Sequence, residues 1–488
     1  MSVAKRTVTA GLWVVSGKAL ARCLDLVTLL VLSRLLTPDD FGLVAMAMSV
    51  VVITEALLEL PLVQALVRIP KLTRPMFDTA FTLGLLRGLA LAVILGGLAW
   101  PLGAFYEAPR LPPLICALAL APILRGMASP RMVVFMREMD FRREFALDLG
   151  GKFAALLVAV TVAVVTRSHW AIAAATIATP LTANVLSYVF APYRPRLSLA
   201  EWGWFRNMVG WNSVAQVFSA LNWQIDRLLL GRLVPRANLG RYAMASDLAG
   251  IPNQALVIPL LRPLIAAFSL RADPASRTGA YLKVMNAIFM VAAPVLLGMA
   301  LLSAPLVRLA LGESWDAAAQ ILFWVALIAM AQTVIAPMNA MAMAMDRTRT
   351  IAMRGMAEFV IRLPATVAGA IWFGIPGAIA ARGLTAALSV FIGFRLVGGL
   401  IGVPVHAQIR SLWRTCAALC AMALTLWLLA PGLAGQGTAR LAFATAAAGC
   451  GAGLVYLACL FGLWAVAGRP EGAERMVADK LAGHLGRA

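Results

Sequence analysis

Residues 32–47 read LSRLLTPDDFGLVAMA, and 198 positions later residues 230–245 read LGRLVPRANLGRYAMA. At that offset Arg34 meets Arg232, Leu35 meets Leu233, Gly42 meets Gly240, and Ala45, Met46 and Ala47 meet Ala243, Met244 and Ala245. The same shift carries Trp13 onto Trp211, Leu58 onto Leu256, and Pro61 and Leu62 onto Pro259 and Leu260. Apolar bias alone produces Leu and Ala matches, but Trp, Arg, Gly and Pro at one constant offset indicate a duplicated unit.

The repeat sits in a chain too apolar for a water-soluble globule. Of 488 residues 61% are apolar, and 39 glycines lift this to about 69%, against roughly 45–50% in soluble domains. A membrane-spanning helix takes about 20 apolar residues, so with short connectors the chain has room for about fourteen. Apolar stretches lie at 9–35, 41–65, 77–100, 112–136, 145–166 and 170–191, and again at 207–231, 242–268, 281–304, 318–345, 351–373, 376–399, 411–430 and 440–466. The expected fold is all-α, a polytopic integral membrane protein with about 14 transmembrane helices.

Six spans per unit is an even number, so both copies enter the membrane from the same side, and two such lobes around a midplane cavity is a recurring transporter plan. The expected organisation is an N-lobe at 1–191 (spans 1–6), an inter-lobe linker at 192–206 and a C-lobe at 207–399 (spans 7–12). Spans 13 and 14 fill 400–468, and 469–488 is a cytoplasmic tail, read either as a short amphipathic helix or as a frayed end. Trp202, Trp204 and Phe205 in the linker suit the headgroup layer; a short loop with interfacial anchors accounts for them equally. Lys5 and Arg6 precede an apolar stretch, but Lys18, Arg22 and Asp25 within it, and no evident cleavage site, favour an uncleaved first span over a signal peptide.

The formal charge of +20 comes from 42 Lys and Arg against 22 Asp and Glu. With both termini cytoplasmic, 25 of the basic residues fall in inner segments, eight in outer ones and nine within spans. Most of the surplus is then a topological signal, and nucleic-acid binding is not expected.

Charge inside a membrane is costly, about 2.5–3.5 kcal/mol per residue at the centre on insertion scales, so such residues face protein or a wet cavity. The N-terminal half carries Lys18, Arg22 and Asp25 on one face of span one, Glu55 and Glu59 on span two, Arg87 on span three, Arg125 on span four and Lys152 on span five. Arg22, Arg87 and Arg125 fall near the midplane. The expected substrate-binding cations are Lys18, Arg22, Arg87, Arg125 and Lys152, in a cavity suited to phosphate, which guanidinium groups grip through paired hydrogen bonds. Internal pairing, Arg22 with Asp25 and the other bases with Glu55 or Glu59, is the competing account, and the two can coexist. Glu358 and Arg362, four residues apart on span eleven, read as an intrahelical pair.

Span seven is unusually polar: Asn212, Gln216, Asn222, Gln224 and Asp226 could line a wet wall for sugar hydroxyls or bridge packed helices, and the sequence favours neither. Candidates for ion coupling are Asp25, Glu55, Glu59 and Asp247. No phosphate loop is present, since Gly17-Lys18 runs into Ala19 and Gly151-Lys152 into Phe153, so the chain is not expected to hydrolyse ATP. The six cysteines show no metal or disulfide spacing. No cofactor and no metal are expected. Gly84 and Gly88 form a GxxxG, a weak signal in so glycine-rich a chain.

Residues 32–47, the stretch NWQIDRLLLGRLVPRANLGRYAMASDLAGIPNQAL at 222–256, and fourteen spans on two six-helix lobes together resemble the polysaccharide transporters of the multidrug/oligosaccharidyl-lipid/polysaccharide exporter superfamily. The likeness is greatest to bacterial flippases of the colanic-acid and exopolysaccharide type. It implies a non-enzymatic carrier in the bacterial inner membrane. Such a carrier moves undecaprenyl-pyrophosphate-linked oligosaccharide repeats to the outer leaflet by alternating access, for lipopolysaccharide O-antigen or exopolysaccharide synthesis. Its implied partners are the lipid-linked oligosaccharide, membrane lipids, and polysaccharide polymerase and export proteins. A cation-coupled drug exporter of the same superfamily is the alternative, disfavoured by the midplane arginines. A membrane glycan polymerase or ligase is disfavoured by short outer loops.

Overall fold

The computed structural model describes residues 3–69, 71–138, 140–206, 211–269, 273–429, 437–469, 472, 474 and 475, and among them there is no strand. The first helices are α1 (Val3–Leu35), α2 (Pro38–Leu57), α3 (Leu62–Arg68), α4 (Arg74–Phe105), α5 (Leu111–Leu118), α6 (Leu120–Gly126) and α7 (Val133–Arg137). There follow α8 (Arg142–Thr166), α9 (Trp170–Phe190), α10 (Trp202–Arg206), α11 (Trp211–Leu233), α12 (Arg236–Pro252), α13 (Ile258–Ser269) and α14 (Pro274–Leu301). The last are α15 (Ser303–Ala310), α16 (Ala317–Gln332), α17 (Ala336–Ala344), α18 (Thr348–Ile401), α19 (Val405–Ser411), α20 (Trp413–Leu429) and α21 (Thr438–Val466).

Among the described residues nine helices are long and apolar enough to cross a membrane, and up to eleven if two bent pairs each make one span. Among the described residues, each apolar stretch read from the sequence falls on a helix or a broken helix. The sequence expectation is about fourteen, and three further helical segments lie outside this count. Two are α1 and α11, whose charged and amide side chains keep them out of an apolar count. The third lies within α18: its 54 residues are interrupted at Gly374, which has φ 61° and ψ −137°, a left-handed backbone that glycine adopts without a Cβ penalty. The Ser389 hydroxyl meets both the Arg354 guanidinium at 2.9 Å and the Glu358 carboxylate at 2.8 Å, so the two limbs of α18 lie antiparallel. Large apolar side chains point outward, with Val93, Trp372 and Phe443 about three-quarters exposed. On a soluble protein such faces would mark a docking site or aggregate; on a spanning helix they meet lipid.

By internal contact the chain divides into two compact units, residues 1–243 and 244–488. The division falls inside α12 and leaves α11 in the first unit. In that unit α8 and α9 pair side by side, with α1 against α8, α6 against α4, and α11 against α2. The GxxxG of α4 is a packing surface: a Cβ on Gly88 would stand 2.8 Å from Ile123 Cα, and a Cβ on Gly84 would stand 3.0 Å from the Gly126 carbonyl oxygen. Small residues of this kind let helix backbones approach closely.

The second unit has its core where Tyr281, Met285 and Phe289 of α14 meet Met338 and Met341 of α17, Phe394 and Val397 of α18, Leu419 and Met422 of α20, and Tyr456 of α21. The buried Tyr456 hydroxyl donates to the Met290 carbonyl at 2.8 Å. The expected Glu358 and Arg362 pair is present at 4.0 Å, with Arg354 a second partner of Glu358 at 3.7 Å. Most of the tail after Arg469 lies outside the described residues; within it Glu474 pairs with Arg414 at 3.1 Å.

Candidate functional site

The first unit gathers the in-span charges into two groups, and among the described residues no ion pair joins them. The first lies between α1 and α8. The Asp25 carboxylate accepts from Arg22 at 3.2 Å and stands 2.6 Å from the Lys152 ammonium. Asp148, one turn before Lys152 and not singled out by the sequence reading, lies in the field of Lys152, Lys18 and Asp25. Three cations thus face two carboxylates, and half of the Arg22 side chain is exposed.

The second group is built on a break in the second span. The α2 helix stops at Leu57, Pro61 prevents its continuation, and α3 resumes at Leu62. Carbonyl groups freed by such a break must find donors, because lipid supplies none. Arg87 of α4 supplies them: its Nε donates to the Leu58 carbonyl at 2.7 Å, and its Nη2 donates to the Glu55 carbonyl at 3.2 Å and to the Glu59 carboxylate at 3.0 Å. A cation there also meets the negative end of the α2 dipole. Arg125 of α6 donates to the Glu55 carboxylate at 2.7 Å and keeps about half of its side chain exposed. The two arginines are therefore matched one for one by glutamates. The pairing read from the sequence is present, and about half of the Arg125 side chain remains exposed.

The repeat gives this break a counterpart. Residues 253–257, which stand 198 positions after 55–59, form a single wide turn in which the Ile258 amide donates to the Asn253 carbonyl, an i to i+5 bond. Such turns and broken helices concentrate at functional positions.

The polar face of α11 separates by depth. Gln216 is exposed, Asn222 half-buried, and Gln224 and Asp226 buried; the Asn212 side chain lies outside the described residues. Asp226 is 1% exposed and accepts from the Tyr242 hydroxyl at 2.6 Å, so it holds α11 to α12 rather than lining a wall. Asp247 of α12 is half-buried. Tyr242→Phe removes a hydrogen bond to a buried carboxylate, a loss of roughly 1.5–3 kcal/mol. The expected outcome is a lower thermal midpoint for the purified protein, measured by intrinsic fluorescence, with insertion in the membrane retained.

The two copies of the repeat also touch each other. In the first copy Thr37, Pro38 and Asp40 make a capping box: the Asp40 amide donates to the Thr37 hydroxyl oxygen at 3.3 Å, and the Thr37 amide donates to the Asp40 carboxylate at 3.2 Å. Proline in the first turn is pre-organised for helix, so the chain enters α2 sharply. A Cβ on Gly42 would overlap the Arg236 carbonyl oxygen, and a Cβ on Gly240 would overlap the Pro38 carbonyl oxygen. Pro38 and Arg236 are themselves 198 apart, as are the two glycines, so the contact is reciprocal. The Asp39 to Arg236 pair at 3.5 Å, the Glu107 to Arg232 pair at 2.8 Å, and the Tyr106 hydroxyl donating to the Leu228 carbonyl at 3.0 Å surround it.

A family model described as "Polysaccharide biosynthesis protein" matches residues 31–320. The lipopolysaccharide biosynthesis protein WzxC of Escherichia coli (strain K12) is 22% identical over 423 residues, 85% of each chain. The succinoglycan biosynthesis transport protein ExoT of Rhizobium meliloti (strain 1021) is 24% identical over 346 residues, 69% of this chain and 68% of that one. Among solved structures, the lipid II flippase MurJ in an inward closed conformation superposes with a TM-score of 0.72 at 12% identity, covering 92% of this chain and 98% of that one. The MurJ likeness is one of fold. The family match spans more than half of the 488 residues and contains both copies of the repeat's signature, both helix breaks and the Arg87 and Arg125 charge group, and the chain belongs to the polysaccharide biosynthesis protein family.

Proposed function

We propose that this chain is a flippase that carries lipid-linked oligosaccharide repeat units across a bacterial inner membrane for surface polysaccharide synthesis. The observation that carries the reading is the guanidinium cluster at the break in the second span. A polyprenyl pyrophosphate is the part of such a substrate that pays most to enter a membrane, and fixed guanidinium groups replace its water with paired hydrogen bonds. Family membership and the likeness to polysaccharide biosynthesis and transport proteins support the same reading. Arg22 and Arg125, each with an open side, are the proposed phosphate contacts, with Lys18 and Lys152 beside the first. Arg87 positions the broken helix. Their carboxylate partners hold the cations when substrate is absent and are released by it; Asp25, Glu55 and Glu59 are then the groups through which an ion gradient couples, and Asp247 is the further candidate in α12.

The proposed lobes are the repeat units at 1–191 and 207–399 joined by 192–206, with both termini cytoplasmic, which sets the Gly42 and Gly240 contact at the outer face. Polysaccharide polymerase and export proteins are the proposed downstream partners. Deleting the gene in its host is expected to remove surface polysaccharide and leave lipid-linked oligosaccharide on the cytoplasmic leaflet, measured by extraction after selective labelling of each leaflet. Unchanged lipid-linked pools with altered drug sensitivity would instead support a drug exporter.

A further inference from the structure

Three arginines from three separate segments converge on an open cavity of about 470 Å³: Arg74 in the first turn of α4, Arg131 on the short turn Pro130–Met132, and Arg194 in the linker. Phe77, Pro192 and Tyr193 complete its lining, and among the described residues no carboxylate contributes. The linker that forms one wall is pinned in place. Asp78, Thr79 and Thr82, a buried polar stripe on α4, receive the Tyr193 hydroxyl, the Glu201 amide at 3.2 Å and the Ser198 amide at 2.9 Å in turn. Ser129 donates to the Ala191 carbonyl at 2.8 Å, and Arg131 donates to the Pro192 carbonyl at 2.8 Å. Burial, then the hydrogen bond to Asp78, raises the Tyr193 hydroxyl well above its ordinary pKa.

Asp78 is thereby engaged by the Tyr193 hydroxyl. Among the described residues Arg74 and Arg194 have neither an ion-pair partner nor a hydrogen-bond partner, and Arg131 spends one donor on a carbonyl. Three guanidinium groups over the N-terminal turn of a 32-residue helix make a strong field for an anion. Their planar forks match phosphate oxygens. Depth supplies a second, independent indication. The adjoining linker exposes Leu197, Leu199, Trp202 and Trp204, the side-chain mixture that marks a membrane's headgroup layer.

We infer that this cavity binds the phosphate of a membrane lipid headgroup. The site is distinct from the in-span cations, and the inference stands whether or not those carry substrate. Two lipids supply this chemistry: an anionic phospholipid, and the pyrophosphate end of a polyprenyl carrier before it enters the membrane interior. The second source rests on the proposed transport activity, and the first does not.

The test is lipid retention by the purified full-length chain, read by native mass spectrometry with dioleoyl phosphatidylglycerol, undecaprenyl pyrophosphate, and the phosphate-free dioleoylglycerol and undecaprenol as probes. The variant is Arg74→Gln with Arg194→Gln, which leaves the scaffold bonds of Arg131 and Tyr193 intact; Arg194→Gln alone, in an exposed extended segment, is the second variant should the pair fold poorly. Retention of a phosphate-bearing probe is expected to fall at least fivefold in the double variant, and at least twofold in the single one. A fall for phosphatidylglycerol assigns the site to phospholipid, and a fall for undecaprenyl pyrophosphate alone assigns it to the carrier lipid. Equal retention of phosphate-bearing and phosphate-free probes, or retention unchanged in both variants, overturns the inference. Because the readout is binding and not export, either result leaves the transport reading to its own test.

Discussion

Arg125→Gln is expected to reduce polysaccharide export at least tenfold at normal protein levels, and the paired variant Arg125→Gln with Glu55→Gln is expected to remain equally defective. The reason lies in what each substitution leaves behind. Arg125 donates to Glu55 at 2.7 Å with half of its side chain exposed, so the single change strands a carboxylate and removes a cation. The paired change restores a neutral, hydrogen-bonding contact of similar shape, which is often nearly neutral for stability, while the cation stays lost. A purely structural role predicts rescue by the pair; a role in holding phosphate predicts none. Charge-assisted hydrogen bonds contribute roughly 1.5–3 kcal/mol each, equivalent to about ten- to a hundredfold in affinity. Export is measured as surface polysaccharide per unit of membrane-inserted protein. Arg87→Gln should behave differently, lowering the amount of inserted protein itself, because the carbonyls of Leu58 and Glu55 then lose their donor inside the membrane.

Gly240→Val, and to a lesser degree Gly240→Ala, is expected to abolish export by forcing the two copies of the repeat apart. Carbon and carbonyl oxygen approach to about 3.3–3.6 Å even in close helix contacts, whereas a Cβ on Gly240 overlaps the Pro38 carbonyl oxygen outright. The obstacle is backbone at both sides, so no side chain can turn away, and α12 must shift relative to α2. The neighbouring pair Asp39 and Arg236, 3.5 Å apart, provides the gauge: with cysteines at these two positions in an otherwise cysteine-free chain, disulfide yield should fall at least fivefold when valine is added at 240. Gly42→Val should reproduce the effect through the Arg236 carbonyl. Undiminished cross-linking with normal export would show that the contact tolerates a Cβ and that the reciprocal packing does not matter. Should the valine variants fail to insert, the alanine variants give the same comparison with a smaller displacement.

The reciprocal geometry explains why this stretch is recognisable at all. Two backbones that approach this closely, and do so through the same positions of each copy, restrict both glycines together, whereas lipid-facing positions between them are free to drift among apolar residues. Gly42 and Gly240 stand out at one offset because the reciprocal contact constrains them as a pair.

The apolar stretches placed nearly every membrane-crossing helix, since a run long enough to span lipid must satisfy its own backbone hydrogen bonds and has little choice but helix. The duplication, the all-α class and the polysaccharide-transporter resemblance were likewise legible in one dimension. Tertiary structure alone decided the partners. Arg87 and Glu59 are 28 residues apart and Arg125 and Glu55 are 70 apart, so their pairing depends on how α4 and α6 are rotated against the break in α2, which no local pattern encodes. The same holds for span seven, where Gln216 faces out and Asp226 is sealed against Tyr242 although both belong to one polar run. It holds for the linker too: Asp78, Thr79 and Thr82 look like incidental polar residues near the start of an apolar helix until the extended segment from Tyr193 to Glu201 docks on them. Span and repeat follow from solvent and chain chemistry acting along the sequence, while the charged sites follow from desolvation, which forces each buried charge or freed carbonyl to find whatever partner the packed helices bring within reach.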